Sequence, residues 1–228
     1  MAVLDSGIDL RHPDLAANLL SGKNFVGGQV SDDPQDDNLH GTHVAGIIAG
    51  AGTETSGVVG VCRRARILPV KVGDSQGYLT DADILEGINY AVSQGARLVN
   101  GSFGGPQPNA LVKNAISKAR NTLFVFAAGN GDDRGVGFSI DEQATYPAAY
   151  GLANIVTVAA TDSSDRLGAF SNFGVKKVQI AAPGVNIISS LPVKPTEEMA
   201  QYGIPSGDRK STRLNSSHSQ QSRMPSSA

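Results

Sequence analysis

Short apolar runs alternate along this chain with stretches whose apolar residues recur at helical spacing. Ala2–Asp5, Ile67–Val72, Arg97–Phe103, Leu123–Ala128, Ile155–Ala160 and Val178–Ala181 read as strands. Between them lie two helices. One is capped by Thr80, with Asp81 and Asp83 in its first turn and Ile84, Ile88, Ala91 and Val92 on one face, and ends at Gly95. The other covers Asn109–Arg120. Residues from Asp9 to Asp37, with Pro13, Gly27, Gly28 and Pro34, read as a connection with little regular structure. The alternation predicts an α/β fold with a mostly parallel central sheet and helices on both faces.

One stretch departs from ordinary amphipathic patterning. Asn38–Gly50 places a histidine, a glycine and a threonine directly before an apolar run of small residues. It predicts a helix entering a crowded core with His40 at its mouth. Gly46, Ala49 and Gly50 leave room for another element, since glycine inside a helix otherwise costs about 0.5–1 kcal/mol relative to alanine. By itself His40 is as readily a structural histidine as a functional one. Two strand ends change the picture. Val3-Leu4-Asp5-Ser6-Gly7 ends a strand in an aspartate and a tight turn, and Phe124–Asn130 ends another in glycine and asparagine. A carboxylate, an imidazole and an amide donor, each at an element end, make the pattern of acyl-transfer chemistry. Asp5, Ser102 and Asn130 all fall at C-terminal strand ends, the edge where open α/β sheets bind ligands.

Composition narrows the classes. The chain has 228 residues, 40% hydrophobic, with 27 glycines and a net charge of −2, which suits one glycine-rich domain. Its globular part has no basic cluster suggesting nucleic acid, and no apolar run long enough for a membrane span. The single Cys62 excludes an internal disulfide and is expected as a small buried thiol.

The motifs Asp5-Ser6-Gly7, His40-Gly41-Thr42-His43-Val44-Ala45-Gly46, Ser102-Phe103-Gly104-Gly105 and Ala127-Ala128-Gly129-Asn130 resemble those of the subtilisin-like serine proteases. Phe170–Gly174 and Ala181-Ala182-Pro183-Gly184 extend the resemblance, in family order, over nearly all of residues 1–207. The resemblance implies a serine endopeptidase in which His40 is the base, Asp5 orients it, and Asn130 donates to the oxyanion. It also implies that Ser102, Phe103 and Gly104 pair with extended substrate and wall one side of the S1 pocket, with Ala127 and Gly129 in the opposite wall. His43 is read as structural. Small walls without a buried charge suggest an apolar or broad P1 preference. No cofactor is required for the chemistry. The family commonly binds structural calcium, and Asp14 matches one ligand, but Ala51–Gly57 does not align cleanly with the loop that supplies others. The expected partner is a peptide or protein substrate, the expected state a monomer, and secretion is implied by resemblance alone.

Competing readings are weaker. Zinc on His40, His43 and a carboxylate lacks the glutamate and spacing of the helical zinc motif. Ser102 lacks the glycine two positions earlier that a nucleophile elbow needs. A nucleotide-binding reading of Gly129-Asn130-Gly131 lacks any Gly-x-Gly-x-x-Gly after the first strand.

The family's nucleophile segment, Gly-Thr-Ser-Met-Ala, is not present. The chain approaches it at Tyr202–Gly207 and continues Asp208-Arg209-Lys210. From Asp208 to Ala228 the composition turns to Ser, Arg, Gln and Asn, too polar to complete a core. Those residues can be encoded by a common sequencing-library adapter. The expectation is therefore a partial catalytic domain over residues 1–207, incomplete at both ends, and a non-native, disordered tail over 208–228. A chain without its nucleophile and the helices that follow it is expected to be inactive and poorly folded. The rival is an inactive pseudoprotease that binds peptides.

Overall fold

The computed structural model describes residues 1–53, 56–193 and 212–214. The chain divides into two compact units. Of the described residues, the first takes in 1–96 and 188–193, the second 97–187.

In the first unit, β1 (Ala2–Asp5) pairs in parallel with β5 (Leu68–Lys71), Asp5 standing opposite Lys71. β5 in turn pairs with the two-residue β2 (Lys23–Asn24). Both longer strands are buried throughout, as parallel strands covered on two faces must be. Consecutive residues of β1 show how they are covered. Val3 belongs to a core cluster with Val44, Ala45 and Ala49 of α1 (His40–Ala49). Leu4 faces the position of Gly87 in α2 (Asp81–Ser93), beside Val70 and Val72. Neighbouring residues of a strand point to opposite faces, so α1 and α2 sandwich this sheet. Each fully buried Ile or Leu in these layers contributes roughly 1.5–3 kcal/mol.

The Thr80 cap forms as the sequence predicts, its Oγ1 accepting from the Asp83 backbone N–H at 3.1 Å. Gly46 does what its place in a tight helix implies. A Cβ there would stand 2.4 Å from Ser189 Oγ and 2.7 Å from Ser190 Oγ, so only glycine lets that segment cross α1. Ser189 Oγ then donates to the His43 carbonyl at 2.6 Å.

In the second unit, β6 (Leu98–Gly101), β7 (Leu123–Ala127), β8 (Ile155–Thr161) and β9 (Ile180–Pro183) pair in parallel in that order, and α3 spans Ala110–Lys118. The runs Phe-Val-Phe-Ala and Ile-Val-Thr-Val suggest burial on both faces, but the strands alternate instead. Phe124 and Phe126, paired with Ile155 and Thr157, are buried. Leu123 is exposed, and Val125, Val156 and Val158 are half-buried. One face of this sheet is only partly covered.

Two features depart from expectation. An antiparallel hairpin, β3 (Ala51–Thr53) with β4 (Ser56–Val59), follows α1. Cys62 is exposed, not buried. It sits in a turn at 61–64 with Arg63 and Arg64, whose charges keep the turn in water. Of the tail, Thr212–Leu214 is a short strand, and Tyr202–Gly207 lies outside the described residues. No helix among the described residues is long and apolar enough to cross a membrane.

Candidate active site

Asp5 ends β1 with 5% of its surface exposed. Its Oδ1 accepts the Ser6 backbone N–H at 2.8 Å and lies 2.7 Å from His40 Nδ1. A buried carboxylate at this distance fixes the ring and keeps the proton on Nδ1, which leaves Nε2 as the basic nitrogen. Burial works to lower the His40 pKa. The charge and hydrogen bond of Asp5, helped by the charge of Asp36, outweigh it and hold the imidazole above its ordinary value of 6.5.

His40 is aimed by an unusual helix start. Leu39, the residue before α1, has φ 145°, a conformation that costs a non-glycine residue of order 1–3 kcal/mol. Side chains hold it there. Asp36 Oδ1 accepts the Asn38 and Leu39 N–H groups, both at 3.1 Å, and Asn38 Oδ1 accepts that of His40 at 3.3 Å. The next two N–H groups of α1 go to Ser6 Oγ (from Gly41, 3.0 Å) and Asp36 Oδ2 (from Thr42, 3.0 Å). Every orphan donor of the first turn thus has a partner, and a carboxylate sits at the positive end of the helix. Gly41 is obligatory, because a Cβ there would lie 1.9 Å from the Gly7 carbonyl oxygen. Lys71, 3% exposed, closes the far side by donating to the Ser6 carbonyl at 2.5 Å, Asp37 Oδ1 at 2.6 Å and the Gly73 carbonyl at 2.9 Å.

The other predicted site residues lie in the second unit. Ser102 is buried and its Oγ accepts from Asn100 Nδ2 at 2.8 Å, which marks it as a structural hydroxyl. Phe103 is buried edge-on against Phe126, their ring centroids 5.9 Å apart. Gly104 and Gly129 both face Thr145, whose methyl would lie 2.9 Å and 3.7 Å from Cβ atoms added at the two glycines. The strand end with Ala127 and the segment with Ser102–Gly104 thus converge on one threonine that sequence reasoning did not single out.

Asn130 follows Gly129, whose φ of 107° only glycine adopts without strain, and is half-buried. Its loop is stapled by Asn172, 1% exposed. Asn172 Oδ1 accepts the N–H groups of Gly131 (3.0 Å) and Phe138 (3.1 Å), while Nδ2 donates to the Ala128 carbonyl at 3.1 Å. Asn172 belongs to a motif already noted, yet nothing in its neighbours reveals that it braces a loop distant in sequence.

Asp14 is engaged with the hairpin that follows α1. Its Oδ2 accepts the Val58 N–H at 2.8 Å, its carbonyl takes the Ala51 N–H at 2.7 Å, and together these tie down the β3–β4 hairpin. Among the described residues no group of three or more His, Cys, Asp or Glu side chains could hold a metal ion.

Comparison with known proteins identifies the family. A sequence model of the subtilase family, Peptidase S8, matches residues 1–224. The chain is 41% identical over 202 residues to the major intracellular serine protease of Bacillus subtilis, covering 85% of this chain and 60% of the relative. It is 37% identical over 194 residues to thermitase of Thermoactinomyces vulgaris, covering 84% and 65%. It is 39% identical over 193 residues to a thermophilic serine proteinase of a Bacillus strain, covering 84% and 45%. A crystal structure of a cold-adapted subtilisin-like serine proteinase superposes with a TM-score of 0.71 at 30% identity, over 83% of this chain and 64% of that one. The chain thus spans about half to two thirds of the length of the relatives it matches. The chemistry of this family needs no cofactor, and its substrates are peptides and proteins. The fold, the Asp5–His40 pair and these likenesses place the chain in the subtilase family of serine proteases.

Proposed function

We propose that this chain is part of a subtilisin-type serine endopeptidase in which His40 is the general base. The observation that carries the reading is the 2.7 Å contact between His40 Nδ1 and the buried Asp5. In the reaction, His40 Nε2 takes the proton of a serine hydroxyl as its oxygen attacks the scissile carbonyl carbon. Asp5 steadies the imidazolium that forms. Asn130 donates its side-chain amide to the oxyanion, and the imidazolium then returns its proton to the leaving amine. Ser102–Gly104 pairs with the extended substrate, and the glycine-lined walls at Gly104 and Gly129 favour an apolar or broad P1 side chain.

The serine that this scheme needs lies outside residues 1–207, and Asp208–Ala228 is a non-native tail. Its composition supports that reading, although the family match runs on to residue 224. The enzyme acts as a monomer and is secreted; one relative is named as intracellular, so the compartment rests on resemblance. Asp208-Arg209-Lys210 in place of Thr-Ser-Met favours one alternative, a pseudoprotease that binds peptides without cleaving them.

A peptide-amide assay separates the readings. The purified 228-residue chain gives no hydrolysis, and the product of the intact source gene does. An intact product that binds peptide tightly without turnover moves the reading to the pseudoprotease.

A further inference from the structure

Two residues adjacent in sequence to the acid and the base are joined by a single hydrogen bond. Ser6 follows Asp5, Gly41 follows His40, and the Gly41 N–H donates to Ser6 Oγ at 3.0 Å. The hydroxyl is not free to turn. Its own proton goes to Asp36 Oδ1 at 2.9 Å, and that carboxylate is fixed by N–H groups of Asn38, Leu39 and Thr42. The Ser6 main chain is held as well. Its N–H donates to the same Asp5 oxygen that meets His40, and its carbonyl accepts from buried Lys71. Ser6 is 4% exposed, so no water replaces these contacts without a local rearrangement.

We propose that Ser6 is a positioning residue for the Asp5–His40 pair. Its hydroxyl sets the separation of carboxylate and imidazole by tying the turn after β1 to the first turn of α1. Asp36 acts through it by orienting its lone pair toward Gly41. The inference rests on the proposed role of His40, and deepens it by saying what keeps the pair in register. Alanine at this position would leave the Gly41 N–H without its acceptor in a buried site and take away one of the three donors to Asp36 Oδ1. The first turn of α1 would then relax, and the Asp5–His40 contact would loosen with it. Threonine keeps the hydroxyl and the contact.

The test reads the His40 ring by NMR in the product of the intact source gene, alongside its Ser6→Ala and Ser6→Thr variants. In the parent chain the His40 Nδ1 proton is hydrogen-bonded and exchanges slowly with water. Ser6→Ala speeds that exchange by about tenfold, the loss expected when one buried hydrogen bond goes. Ser6→Thr leaves it within about twofold, because its hydroxyl makes the same bonds. His12, buried in the same unit with its Nδ1 accepting the Asp14 N–H at 3.1 Å, serves as the control and stays unchanged. A merely structural role for Ser6 would move both rings together. If Ser6→Ala unfolds, Ser6→Cys is read in its place, since sulfur is the poorer acceptor at similar volume, and the same acceleration is expected. Unchanged His40 exchange in the folded alanine or cysteine variant overturns the role of Ser6. A parent chain without a protected Nδ1 proton overturns the reading of His40 itself, which is a different result.

Discussion

Replacing His40 with alanine in the product of the intact source gene lowers kcat on peptide amides by on the order of 10⁶, a magnitude established on a subtilisin itself. The loss is this large because no other group among the described residues stands in its place. Among the hydrogen bonds of the described residues, the imidazole is the side chain held against Asp5, at 2.7 Å. The variant keeps its peptide affinity, since the base touches the reacting atoms and not the extended strand. The pH profile of the parent enzyme carries a second signature. Neutral imidazole is the active form, and the net effect of burial, Asp5 and Asp36 raises its pKa. Activity is therefore lost as pH falls through a value above 6.5, the ordinary histidine value. Measuring kcat/KM from acid to mildly alkaline pH places that limb. A limb below 6.5 would show that burial outweighs Asp5, against the geometry described here.

Asp5→Asn is the second large effect, a fall in kcat of about 10⁴ with KM little changed. The asparagine is nearly the same shape, and its amide oxygen can still accept the Ser6 N–H. What it lacks is the charge that steadies the imidazolium during proton transfer. The acid limb of kcat/KM accordingly moves down relative to the parent, because the attraction that offsets burial is gone. A loss of less than about tenfold would mean that Asp5 only fills space beneath His40.

Much of this arrangement is legible in the sequence, and the reason is local. Asp5-Ser6-Gly7 ends a continuous apolar run, and His40-Gly41-Thr42 opens a run of small residues, so strand end and helix mouth are both marked. Thr80 and the acidic first turn of α2 follow a capping rule that depends on neighbouring residues alone. What stays hidden is carried by contacts between residues far apart in the chain. Asp36 is one of several aspartates in a polar stretch with Asp32, Asp33 and Asp37, and only its burial beneath Ser6 and Thr42 distinguishes it. Asn172 and Thr145 gain their roles from the loops that they face across the second unit. The β3–β4 hairpin is short and glycine-rich, and it depends on the reach of Asp14 to Val58, so no alternating pattern announces it. Cys62 misleads for the opposite reason. Cysteine is usually buried, but here two arginines follow it in an exposed turn.

The measurement that bears most directly on the central claim is the source DNA sequence beyond the codon for Gly207. For a subtilisin-type endopeptidase the reading frame continues as Thr-Ser-Met-Ala or close to it, supplying the serine that His40 and Asp5 serve. Genomic codons for Asp208–Ala228 at that place would contradict it, and would leave a peptide-binding protein with the machinery of a protease but no nucleophile.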